Sequence, residues 1–467
     1  MADYIHRVLL DPNDPTPVHF VGIAGAGMSA LAELFVRRGV KVTGCDANAS
    51  GVDDLRKLGI HIVEGHDAGH VTDARALVVT SAMAKDHPEL AAARARGIPV
   101  IRRAEALGEA TAGGGRELIG VAGTHGKSTT TVMTAEALAA AGRDPTALVG
   151  ARVASWSGNL RAGGDRLYVV EADEYDRSFL AMSPTVAVVT NVEADHLDIY
   201  ADLADIRRAF GEFVRGARTI VLCADDAGAT TLPTSNTADI QRYGIASQDA
   251  RLRALDVRLE PAGAAFAVEH DGDLLGSVAL RVTGTHNVLN ALAAIGAGLA
   301  VGAPFEGLAY GLANFAGAAR RFERIGEERG ITVIDDYAHH PTEISATVAA
   351  ARAAFPGRRI VVAFQPHLYS RTRDFAREFA CSLSAGDVVY LTEIYAAREK
   401  PIAGVTADMI VNAFGPDRQK LAWRGDRGAI ADALAAGVRD GDVVIIMGAG
   451  DITKTGPELL ARLRRAA

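Results

Sequence analysis

Cysteine is scarce: three residues in 467, Cys45, Cys223 and Cys381, stand far apart with no CxxC pair and no Cys/His cluster. The spacing therefore suggests neither a disulfide framework nor a structural zinc site, and it fits a reducing cytoplasm. Basic charge is not in excess either. Lys+Arg 49 against Asp+Glu 57 leaves a net charge of −8, which argues against a general affinity for nucleic acid or an anionic membrane. Long apolar runs are missing. The most lipid-like stretch, Ala291 to Phe305, is rich in Ala and Gly and falls short of the ~20 apolar residues of a spanning helix. The opening MADYIHRVLLDPNDP carries Asp3 and no sustained apolar run before Asp11, so it lacks the layout of a signal peptide. What remains is 49% hydrophobic and 23% charged residues over a length that predicts about three globular domains.

Short β-branched runs alternate with Ala/Leu-rich helical patterns, the signature of parallel sheets covered by helices, so the class is α/β. A first series has strands at Val18–Ile23, Lys41–Cys45, near His61–Val63 and Leu77–Thr80, and at Pro99–Ile101, with a helix at Met28–Arg37. The glycine-rich Thr111-Ala-Gly-Gly-Gly-Arg116 offers nothing to pack and marks a boundary. A second series runs through Leu118–Ala122, a helix from Lys127, Leu167–Val170, Val186–Asn191 and a helical pattern from Asn287 to Ala300. A third, from near Phe315, has strands at Ile331–Ile334, Arg359–Phe364, Val388–Thr392 and Val443–Met447. The expected domains are 1–110, 111–314 and 315–467: a Rossmann-like unit, a central P-loop ATPase-like parallel-sheet domain, and a second Rossmann-like unit.

Val121-Ala-Gly-Thr-His-Gly-Lys-Ser-Thr-Thr130 lies between an expected strand and an expected helix. Glycines there let backbone N–H groups reach phosphate oxygens, the helix start adds positive potential, Lys127 reaches terminal phosphates and Ser128 can ligate Mg²⁺. Val121 stands where the strict P-loop pattern has glycine, so the loop is a variant. Gly22-Ile-Ala-Gly-Ala-Gly27 follows the first strand and Asp46 ends the second. Its GxxGxG order leaves three readings open: NAD(P), another nucleotide diphosphate, or tight helix–strand packing. Carboxylates cluster at two later strand ends, in Glu171-Ala-Asp-Glu174 and Glu193-Ala-Asp-His196, where a hard cation and phosphate oxygens would sit. In the last third, Asp335-Asp-Tyr-Ala-His-His340 precedes Pro341, and His367 and Arg371 follow another strand, placed to clamp an anion.

In order, GIAGAGMSALAELF, VAGTHGKSTTT, EADEYDRSFL, TNVEADHLDIY, GTHNVLNALAA, RRFE, DDYAHHPTEI, FQPHLYSRTR and GAGDI resemble the Mur ligase family, from about Val18 to Ile452, and within it the members that add alanine. The resemblance implies an ATP-dependent ligase that joins L-alanine to the carboxylate of UDP-N-acetylmuramate through an acyl phosphate. A recycling ligase that attaches a tripeptide to the same sugar nucleotide is the alternative. Carried across residue by residue, Gly123, Thr124, His125, Gly126, Lys127, Ser128 and Thr129 would wrap the ATP phosphates. Ser128 and Glu171 would hold one Mg²⁺ and His196 a second. His286, Asn287 and Asn290 would face the nucleoside, and Arg321 and Asp336 would approach ATP from the third domain. Gly25, Ala26, Gly27, Asp46, Ser81, Tyr337 and His367 would serve the sugar nucleotide, and His339 and Arg371 its carboxylate and the developing phosphate charge. The same resemblance implies a monomer or weak homodimer without nucleic-acid or membrane partners. Ala24, Leu368 and Arg398 depart from family patterns, and the absence of lysine from His196 to Gly216 removes the carbamylated lysine of some relatives, as in the alanine-adding members.

Overall fold

Runs such as Val186–Val189, Ile360–Phe364 and Val443–Met447 are buried along their whole length. That is the state of parallel strands covered by helices on both faces. The computed structural model describes residues 8–80, 83, 84, 86–234, 237–397 and 399–465 and folds them into an α/β chain with three sheets. The first sheet is five-stranded and parallel, in the order His61–Glu64, Val42–Asp46, Val18–Val21, Ala76–Val79, Val100–Arg102.

The central sheet has ten strands. Its parallel heart places Leu167–Glu171, Glu117–Ala122, Val186–Val189 and Thr219–Cys223 side by side. Expectation and structure part at its edges, which are antiparallel: Gly158–Arg161 pairs with Thr146–Val153, and Gly263–His270 lies between Leu252–Glu260 and Asp273–Leu280. The reason is local. Asp271 and Gly272 carry φ of +53° and +91°, the two left-handed residues of a type I′ hairpin that reverses the chain without a crossover helix. The third sheet runs Glu323–Glu328, Ile331–Asp336, Val443–Met447, Ile360–Phe364, Val388–Thr392, Leu421–Gly425, with only the first strand antiparallel.

The Ala-rich stretch near residue 291 belongs to a helix, Thr285–Ala300, whose Ala291 to Ala297 are buried against the central sheet. Among the described residues no helix is long and apolar enough to cross a membrane. Register sets the position of the chemistry. Val121 pairs with Glu171 and Ala122 with Val189, so the loops after three adjacent strands open at one carboxyl edge, where ligands of open α/β sheets bind.

Candidate active site

The segment after Glu117–Ala122 turns into the helix Lys127–Ala140 through Gly126, at φ +81°. A Cβ on Gly126 would stand 2.6 Å from the Asn290 Oδ1, and one on Gly123 would lie 3.1 Å from the Thr190 backbone nitrogen. Both glycines are therefore required by space as well as by torsion. We expect Gly126→Ala to cost about 1–2 kcal/mol through its torsion alone. Urea melts would show this, with nucleotide binding weakened further by the displaced loop.

The Lys127 ammonium donates to the Gly123 carbonyl at 2.7 Å and the Thr124 carbonyl at 3.2 Å, and pairs with Glu174 at 2.7 Å. Burial alone would lower its pKa, but the charges of Glu174, Asp173 and Glu171 outweigh it and hold the ammonium above its ordinary value. Ser128 Oγ donates to Glu171 Oε1 at 2.8 Å and receives Arg321 Nη2 at 3.1 Å. Arg321 lies 193 positions further along the chain, yet its guanidinium reaches the start of this helix. His196 Nε2 stands 3.7 Å from both Glu174 and Asp195, and its buried Nδ1 has no hydrogen-bond partner among the described residues.

A second bridge between domains joins Arg371 to Asp195 at 2.6 Å, both buried. Burial pushes the Asp195 carboxyl up, yet the guanidinium prevails and holds it well below the carboxylate range. A third bridge is His125, 3.2 Å from Glu343 and 3.4 Å from Glu193. Burial works against its charge, but the two carboxylates raise it from 6.5 to about 9. Because the folded value is the higher one, the imidazolium stabilises the fold fully below pH 6.5 and ceases to as pH rises through about 9. The term is on the order of 3 kcal/mol. Urea denaturation across that window should show wild type losing stability, and His125→Gln should flatten the loss.

Two cavities meet at this loop. One, of about 800 Å³, is lined by all three domains: Ala24 and Ala26 from the first, Lys127, Ser128, Glu171 and His196 from the second, and Tyr337, His339, His367 and Arg371 from the third. The other, about 280 Å³, continues past Gly126 and Thr129 to His286, Asn287, Asn290, Arg321 and Asp336. Burial pushes the Asp336 carboxyl up to about 6, with Arg321 opposing it.

Three sequence profiles match in chain order: "Mur ligase family, catalytic domain" over residues 17–114, "Mur ligase middle domain" over 121–298 and "Mur ligase, glutamate ligase domain" over 320–450. The UDP-N-acetylmuramate--L-alanine ligase of Acidothermus cellulolyticus is 45% identical, across 98% of either chain. The chain belongs to the Mur ligase family. A ligase of the same description from Geobacter sp. (strain M21) is 43% identical over 96% of this chain and 98% of its own. Among solved structures, the UDP-N-acetylmuramate-alanine ligase of Thermotoga maritima superposes with a TM-score of 0.81 at 30% identity, covering 97% of this chain and all of that one. The murein peptide ligase of Psychrobacter arcticus gives 0.70 at 27% identity, covering 96% and 98%.

In this Mur ligase the expected residues fall into distinct places. Gly123 to Thr129 form the loop, and Gly25, Ala26 and Gly27 line a smaller cleft of about 220 Å³ that also reaches Glu171. Asp46 is turned onto backbone, accepting from Ala24 N at 2.9 Å and Asn48 N at 3.0 Å, so it shapes the glycine loop. Ser81 and Arg398 lie outside the described residues. Leu368 is buried at φ +71° and starts the helix that presents Arg371. Sequence reasoning missed Glu174, Asp195, Glu193, Glu343 and Arg320 as site residues. The acidic strand-end segments contained three of them, but only the fold shows which carboxylate meets which cation.

Proposed function

We propose that this Mur ligase joins L-alanine to the carboxylate of UDP-N-acetylmuramate with cleavage of ATP to ADP and phosphate, a step of peptidoglycan precursor synthesis. The observation that carries the reading is the single cavity in which the phosphate loop, the glycine loop of the first domain and Arg371 of the third face one another. A carboxylate is a weak electrophile with no leaving group. Transfer of the γ-phosphoryl to it gives an acyl phosphate, and the neutral amine of alanine displaces phosphate to form the amide. Little covalent work falls on the protein, so positioning and charge neutralisation dominate.

The chain's own groups are placed for that task. Lys127 and the N–H groups from Gly126 to Thr129 hold the phosphates, those of Thr124 and His125 being donated to Asn191, and Arg321 reaches the same point from the opposite domain. Tyr337 packs under the Arg320 and Arg321 guanidinium groups at 4.9 and 5.0 Å. His339 Nδ1 faces two acceptors, the Tyr337 carbonyl at 2.9 Å and Glu343 at 3.2 Å, so that nitrogen carries the proton. Burial lowers this imidazole to about 3, so it is neutral and its unprotonated Nε2 can only accept a hydrogen bond from a substrate N–H or O–H, while Arg371 supplies the positive charge. His286, Asn287 and Asn290 take the nucleoside, with Asp336 beside them.

The oxygen pair Ser128 and Glu171 suits Mg²⁺, a hard cation that favours oxygen ligands; His196, beside Glu174 and Asp195, is assigned to the second ion. When bound, these ions neutralise phosphate charge. We place the domain borders near residues 111 and 315 and assign the protein to the cytoplasm, as a monomer or weak homodimer. The test is ADP release with UDP-N-acetylmuramate across a panel of amino acids and the recycled tripeptide. L-Alanine should give the fastest release. A preference for the tripeptide, or release that ignores the sugar nucleotide, overturns the reading.

A further inference from the structure

We propose that Cys45, His66, His70 and Glu89, in the first domain, form a binding site for a divalent transition metal of the zinc class, separate from the nucleotide cavities. Glu89 is wholly buried in the first turn of the helix Pro88–Ala95. A buried carboxylate without a cation is costly. Among the described residues no Lys or Arg forms an ion pair with it; its ionic neighbours are the Nδ1 atoms of His70, His66 and His87, at 2.8, 3.7 and 3.9 Å. The Cys45 thiol, also fully buried, lies 3.1 and 3.2 Å from the two Glu89 oxygens and 3.4 Å from His66 Nδ1.

The 3.4 and 3.7 Å separations that His66 makes match donors around one small ion, whereas those of 2.8, 3.1 and 3.2 Å are hydrogen-bond distances that an entering ion would widen. Tetrahedral zinc, with bonds of about 2.0–2.3 Å to nitrogen, oxygen and sulfur, holds its ligand atoms roughly 3.3–3.8 Å apart. His19, Cys45, His70 and Glu89 offer donors all within 4.8 Å of one another. His19 bonds Thr43 Oγ1 at 2.9 Å through Nδ1, and its buried Nε2 has no partner among the described residues. His87 Nδ1 likewise has no hydrogen-bond partner there. One thiolate, imidazoles and one carboxylate make a mixed set that selects a borderline metal over Mg²⁺ or Ca²⁺. His66 is exposed and provides the way in. On binding, the thiol releases its proton to solvent and sulfur takes the metal. The ion would tie the end of the second strand, the turn Ala68–Val71 and the helix Pro88–Ala95 to one point.

The full-length protein, stripped with chelator and kept in excess Mg²⁺, is titrated with Co²⁺. The expected result is one equivalent bound with a thiolate-to-cobalt charge-transfer band in the near ultraviolet, abolished by Zn²⁺. The oxygen donors of the phosphate loop contain no thiolate and cannot produce that band. Cys45→Ser should remove it. His66→Ala, at an exposed position where folding is not at stake, should weaken Co²⁺ binding by about tenfold or more. Absence of the band, its survival in Cys45→Ser, or unchanged affinity in His66→Ala overturns the proposal and leaves a hydrogen-bonded buried network only.

Discussion

Replacing Lys127 by Met should lower ligation by about three orders of magnitude or more, because in the proposed reaction the ammonium is preorganised charge for the transferring phosphoryl group. Its three hydrogen bonds, to Gly123, Thr124 and Glu174, fix it over the loop before nucleotide arrives. The same substitution strands the buried Glu174, which burial already pushes up in pKa, so stability should fall as well. These two effects separate in a double variant. Lys127→Met with Glu174→Gln should melt close to wild type while phosphate release stays lost. Near-normal ligation by the folded single variant would refute the role of the lysine.

Arg371→Met is the second large effect. It leaves Asp195 charged and buried, for which the expected destabilisation is about 3–5 kcal/mol, and it removes the cation assigned to the substrate carboxylate. Ligation should fall by about 10²–10³-fold. Pairing it with Asp195→Asn should return most of the stability, read by urea denaturation, and little of the rate. Recovery of rate along with stability would show that Arg371 acts only as a clasp between the second and third domains.

Much of the architecture was legible in the chain. The strands Val388–Thr392 and Val443–Met447 and the helix start at Lys127 fall where the residue pattern places them, because apolar runs between turn residues reflect burial directly. The antiparallel edge from Leu252 to Leu280 was not legible as such. Strands with one exposed face, such as that bearing Leu274, dilute the apolar signal. The candidate metal donors were hidden for another reason. His19, Cys45, His70 and Glu89 sit on separate elements, so the one local signal is the pair His66 and His70, four residues apart.

By itself the sequence determined the glycine turn between strand and helix, since Gly123 to Ser128 are contiguous and their torsions follow from local backbone chemistry. Only the tertiary structure decided the partners. Lys127 meets Glu174 across 47 positions and Arg371 meets Asp195 across 176. Sheet register and the docking of one domain on another bring such groups together, and burial then sets their charge.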